Sequence, residues 1–77
     1  LNPVVDLTFF RGRLHLLETF SWDDPWVGNA GRVLRRDRSG ATTTLVTGLN
    51  FPIGLASWRG DLYVSQNSSL VSLGGLR

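Results

Sequence analysis

The chain has 77 residues, 42% hydrophobic and 18% charged, with no cysteine and one histidine. That length holds one small core and not two domains. The composition removes disulfides, thiol nucleophiles and Cys/His metal clusters, which leaves carboxylates as the only ligand set for a divalent cation such as calcium. All eight basic residues are arginines, set against six acidic residues, and the net charge of +2 is too small to predict nucleic-acid binding.

The first residues, Leu1-Asn2-Pro3, carry neither an initiator methionine nor a charged-then-apolar leader, so the chain reads as an excerpt of something longer. No run approaches the roughly 18 apolar residues of a membrane span. Short apolar or β-branched runs then alternate with turn signals, and seven strands are predicted: Val4 to Thr8, Leu14 to Glu18, Arg32 to Arg36, Thr43 to Val46, Ile53 to Ser57, Leu62 to Ser65, and Leu70 to Leu73. Turn residues at Phe10-Arg11-Gly12, Asp37-Arg38-Ser39-Gly40, Asn50-Phe51-Pro52 and Trp58-Arg59-Gly60 come too often for helices of ten residues or more. The fold class expected is all-β.

A shift of 48 positions lays the chain over itself. Leu1, Asn2, Leu7, Arg11, Gly12 and Leu14 fall on Leu49, Asn50, Leu55, Arg59, Gly60 and Leu62, and Val5, Phe10, His15 and Leu16 fall on Ile53, Trp58, Tyr63 and Val64. A period of that length marks a repeat architecture whose units stack to cover one another's apolar faces. Four antiparallel strands in such a repeat are the arithmetic of a β-propeller blade. The predicted organisation is one partial propeller over 1–77, with blade one at about 1–48 and a partial blade two at about 49–77. Leu55, Ala56, Leu62 and Val64 would fill the interface between blades.

The stretches Gly31-Arg32-Val33-Leu34-Arg35-Arg36-Asp37, Ser39-Gly40, Thr47-Gly48-Leu49, Phe51-Pro52-Ile53-Gly54-Leu55-Ala56 and Asp61-Leu62-Tyr63-Val64-Ser65 carry a family likeness. They resemble the blade consensus of NHL-like propellers, above all the ScyD/ScyE family within the gluconolactonase-like superfamily. The first repeat departs from that pattern at Asp6, where the second has Gly54, and Arg59-Gly60-Asp61 stands where the family often has Asp-Gly. The resemblance implies a propeller, export from a bacterium, and in its enzymatic members a divalent cation held at the axis by carboxylates from several blades. Asp6 and Glu18 are the carboxylates that such a cation would draw on. In this pattern Pro52 fixes the chain's entry into the innermost strand, and Gly54 lets backbones approach near the axis.

Between the second and third strands the first repeat carries Phe20 to Ala30, where the second passes from Ser65 to Leu70 in a few residues. This insertion is the candidate binding segment. Trp22, Asp23, Asp24, Trp26 and Asn29 supply flat apolar surface beside carboxylate and amide acceptors, suited to a sugar, a peptide or a cation. The bland alternative is that the two tryptophans pack the loop onto its own blade while Asp23 caps a turn. The cluster Arg32, Arg35, Arg36 and Arg38 could face a phosphate backbone as in an RNA-binding propeller, but alternation along a strand divides Arg32 and Arg36 from Arg35. His15 reads as a packed or edge residue, and Asn67-Ser68-Ser69 matches the glycosylation triplet.

No nucleophile has a partner base, and no glycine-rich phosphate loop is present in the sequence. The functional expectation is a non-catalytic binding scaffold for a protein, small-molecule or sugar ligand. The competing one is part of a metal-dependent lactonase or sugar-oxidising propeller. Either needs further blades, from the same longer polypeptide or from other copies, because open strand edges and an uncovered face are costly.

Overall fold

A computed structural model describes residues 2–24, 26, 28–66 and 69–74. Among these the chain forms seven strands: β1 (Val4–Phe10), β2 (Arg13–Glu18), β3 (Gly31–Arg36), β4 (Thr42–Leu49), β5 (Pro52–Trp58), β6 (Asp61–Gln66) and β7 (Ser69–Gly74). Each of the seven predicted strands is present, most of them a residue or two longer than the apolar runs suggested. The described residues contain no helix, and none long and apolar enough to cross a membrane. Two antiparallel sheets result, one ordered β1-β2-β3-β4 and the other β5-β6-β7. The Asn67-Ser68-Ser69 triplet lies largely outside the described residues.

The offset of 48 holds in three dimensions, from Val4 to Pro52 and from Arg13 to Asp61. Register follows it as well. Leu7 faces Leu16 as Leu55 faces Val64, Thr8 faces His15 as Ala56 faces Tyr63, and a bulge falls between Val4 and Asp6 as another falls between Pro52 and Gly54. Both hairpins close with two-residue loops, Arg11-Gly12 and Arg59-Gly60, whose φ values are 54° and 76°, and 51° and 82°. Positive φ at both central residues belongs to the type I′ turn, whose twist matches that of the strands it joins. β7, by contrast, follows β6 with a much shorter connection than β3 follows β2, and the β6–β7 ladder carries a bulge between Leu62 and Tyr63 that the β2–β3 ladder lacks.

Period-2 alternation gives each sheet two faces. In the first sheet Asp6, Thr8, His15, Leu17, Val33 and Arg35 share one face by register, and Leu7, Phe9, Leu14, Leu16 and Leu34 share the other. The first of these faces packs on the second sheet, where β5 lies against β1 and β2. The core between them is Phe10, Leu17, Val33, Leu49, Leu55, Leu62 and Val64, with Val46 and Leu73 against its edge. Leu17, Val33, Leu62 and Val64 are fully buried, each stabilising the fold by roughly 1.5–3 kcal/mol. The shortest dimension of the molecule, 16 Å, fits two sheets packed about 10 Å apart.

Leu55, Leu62 and Val64 fill the interface between the two sheets, while Ala56, which alternates with Leu55, lies exposed on the other face of the second sheet. One expectation here changes. The space at Gly54 is filled by a side chain and not a backbone: a Cβ there would stand 2.7 Å from Ser65 Oγ. The close approach comes instead at Gly31, where a Cβ would lie 2.5 Å from the Pro52 ring and 2.8 Å from the Leu49 carbonyl. Buried Pro52 thus seats the start of the second sheet on the start of β3.

Candidate functional site

Alternating antiparallel strands send the connections to two ends of the first sheet. The Arg11-Gly12 turn and the Asp37 to Gly40 turn share one end, and the 19–30 connection shares the other with the Leu49 to Pro52 link between sheets. The contact confirms the second grouping: a Cβ at Gly28 would stand 2.8 Å from Asn50 Oδ1.

The long connection is anchored at its base. Thr19 N–H donates to the Pro3 carbonyl at 3.2 Å, and Trp22 N–H donates to Asn2 Oδ1 at 3.3 Å. Ser21 then organises a tight turn, accepting from Asp23 N–H on its hydroxyl at 3.2 Å and from Asp24 N–H on its carbonyl at 3.2 Å. Asp23 and Asp24 are exposed, and neither carboxylate accepts a hydrogen bond from the described residues. Asn29 is exposed with φ at 64°, a left-handed geometry that asparagine tolerates better than most residues.

The two tryptophans part company. Trp22 meets Phe20 edge to face, with ring centroids 5.6 Å apart, while keeping 64% of its surface exposed. Packing of the loop on its own neighbours therefore accounts for part of Trp22. Trp26 is 90% exposed and is packed on nothing comparable among the described residues.

The two carboxylates considered for a cation are engaged by protein donors. Asp6 accepts Leu7 N–H on Oδ1 at 2.9 Å and Leu55 N–H on Oδ2 at 2.8 Å, the latter joining β1 to β5 across the two sheets. Glu18 is fully buried. Its Oε1 receives the Arg32 guanidinium, with Nε at 2.7 Å and a terminal nitrogen at 2.6 Å, and its Oε2 accepts Asn2 N–H at 3.2 Å. Neither carboxylate has an oxygen left without a protein donor, and among the described residues no three His, Asp or Glu side chains come together. The arrangement does not fit a cation cradle.

The arginine cluster is split as alternation requires. Arg32 is held by Glu18, and Arg35 pairs with His15 across the ladder on the inner face. Its Nε is buried with no hydrogen-bond partner among the described residues. Arg36 and Arg38 instead join Arg11 and Arg13 around an open cavity of about 570 Å³ at the turn-bearing end, with Phe9, Leu14 and Asp37 completing the wall. That gathering of four arginines around one cavity was not visible in the sequence, where the two pairs stand more than twenty residues apart; the Arg11 guanidinium itself lies over the Phe10 ring. Asp37 lies among them but is committed to its own turn. Its Oδ1 accepts from the Ser39 hydroxyl at 2.6 Å, Ser39 N–H at 3.0 Å and Ala41 N–H at 3.1 Å. The Ser39 hydroxyl does most to hold the carboxyl below its ordinary pKa, with the two backbone donors and the Arg13 charge adding to it.

His15 is buried against Phe10, ring centroids 5.4 Å apart at 81°, with Nδ1 at 2.9 Å from the Arg13 carbonyl. Among the described residues it packs in the core. In comparisons with known proteins the chain matches no family model, no curated protein and no solved structure.

Proposed function

We propose that the chain is a non-catalytic segment of a β-propeller of the NHL-like kind, with β1–β4 as one blade and β5–β7 as most of a second, acting as a binding scaffold. The ligand is met by the 21–29 loop. The observation that carries this reading is Trp26, 90% exposed on a loop whose base is fixed by Asn2 and Ser21. A large apolar ring in water is unfavourable unless something covers it. Trp22 and the free carboxylates of Asp23 and Asp24 extend the surface, and flat rings beside acceptors suit a sugar ring or a peptide. Further support is the matched register, bulge and turn of the two sheets, which is how stacked blades would look.

The test is a titration of the ¹⁵N-labelled chain with soluble neutral oligosaccharides and short peptides, read by amide shifts. Binding is expected to move signals from Ser21 to Asn29 and to be lost in Trp22→Ala and Trp26→Ala. Ligand-induced shifts confined to the sheets would sink the loop as the site.

A further inference from the structure

Two sheet faces of this chain carry exposed apolar side chains. On the first sheet, Leu7 is 55% and Phe9 69% exposed, on a face whose register-mates Leu16 and Leu34 are already buried. On the second sheet, Ala56, Trp58, Tyr63 and Leu70 line a hollow of about 350 Å³, with Trp58 60% and Leu70 70% exposed. These faces are not unrelated patches. The repeat places Leu7, Leu14 and Leu16 where the second sheet has Leu55, Leu62 and Val64, and places Ala56, Trp58 and Tyr63 where the first has Thr8, Phe10 and His15.

The buried interface inside the chain is made of the same two surfaces. There the Thr8, Phe10, His15 face of one sheet receives the Leu55, Leu62, Val64 face of the next. Each open face is thus the counterpart of a surface already packed once in the molecule, and the two open faces are complementary to each other.

We propose that a second copy of this chain docks head to tail, the Leu7/Phe9 face of one copy on the Ala56/Trp58/Tyr63/Leu70 face of the other. The contact is heterologous, using different patches on the two partners, and it leaves one face of each kind free at the ends of any assembly, so it propagates until a ring closes or a filament grows. The proposal rests on the two faces and not on the 21–29 loop.

The experiment is sedimentation velocity on the 77-residue chain over a concentration series, with Phe9→Glu and Leu70→Glu as variants. The wild type is expected to grow beyond its 8.5 kDa monomer mass as concentration rises. Each variant alone has lost one of the two faces and is expected to remain a monomer. An equimolar mixture should give a species of twice the monomer mass and nothing larger, because one intact face of each kind remains and both outer ends are blocked. A wild type that stays monomeric or unfolded throughout overturns the proposal, as does a mixture that stays monomeric or single variants that still associate. Should circular dichroism show either variant unfolded, Leu7→Arg and Ala56→Arg take their places with the same expectations. Trp22→Ala and Trp26→Ala should leave the association unchanged, which separates this proposal from the loop's binding role.

Discussion

Glu18 and Gln66 stand at the same place in the two sheets, and each accepts a hydrogen bond from the backbone N–H of the asparagine that precedes its own hairpin. Asn2 donates to Glu18 Oε2 at 3.2 Å, and Asn50 donates to Gln66 Oε1 at 2.8 Å. The neutral amide does for the second sheet what the carboxylate does for the first. Among the described residues the charge on the buried Glu18 therefore answers to Arg32, whose side chain is a third exposed.

That division sets an order for substitutions. Arg32→Ala leaves a fully buried carboxylate without its counterion and is expected to cost about 3–5 kcal/mol. Glu18→Ala should cost about 2–3 kcal/mol, because the partly exposed Arg32 side chain can turn to water once released. Glu18→Gln retains the acceptor and should cost about 1 kcal/mol. Urea denaturation midpoints measure all three, and finding Glu18→Gln the most damaging would refute the assignment.

Gly31 is expected to tolerate no side chain. A methyl group there would meet the Pro52 ring and the Leu49 carbonyl well inside contact distance, so either β3 shifts or the second sheet is displaced. Gly31→Ala should cost on the order of 1–3 kcal/mol, as overpacking does. Thermal unfolding checks it, and an unchanged midpoint would show that Pro52 yields freely.

Acid should loosen the β3–β4 turn through Asp37. The folded carboxyl sits below its ordinary pKa, chiefly through the Ser39 hydroxyl, so its stabilisation is complete above the unfolded value of about 3.9 and is lost as pH falls through the folded one. The difference in melting temperature between wild type and Asp37→Ala should be constant from neutral pH to about pH 5 and shrink below about pH 4. A difference that persisted undiminished to pH 2 would remove the carboxylate from the account.

The hairpin turns offer a gain. Arginine is an uncommon residue at positive φ, whereas Asn-Gly is the favoured pair for a two-residue I′ loop. Arg11→Asn should stabilise by about 0.5 kcal/mol. Arg59→Asn should gain less, because Arg59 lies 4.6 Å over the Trp58 ring while Arg11 lies 5.4 Å over Phe10. Chemical denaturation of the two single variants distinguishes them, and a larger gain at Arg59 would deny the ring contact any worth.

Strand positions were legible in the sequence because each is a short apolar run closed by turn residues, and because two passages 48 positions apart vouch for one another. The shared direction of Leu55, Leu62 and Val64 followed from alternation, which puts Ala56 on the opposite face of the second sheet. Glu18 was harder. As a lone carboxylate at a strand end it resembled a cation ligand, and its true partner lies fourteen residues away across a connection whose length says nothing about register. The four arginines around the turn-end cavity were hidden for a related reason: two hairpin loops meet only once β2 and β3 have paired. In the loop, exposure of Trp26 was in keeping with its surroundings of Asp, Asn and Gly, while the edge contact of Trp22 with Phe20 depended on a turn made by Ser21.

The long connection after β2 and the short one after β6 differ by ten residues, yet each leads into an antiparallel neighbour of the strand before it. Length and chemistry there are uncoupled from the hydrogen-bonded lattice. Drift at that position is nearly free of folding cost, so a lineage built from this unit could acquire new recognition by exchanging one loop while inheriting its scaffold intact. For the same reason the 21–29 segment is the natural acceptor for a grafted epitope.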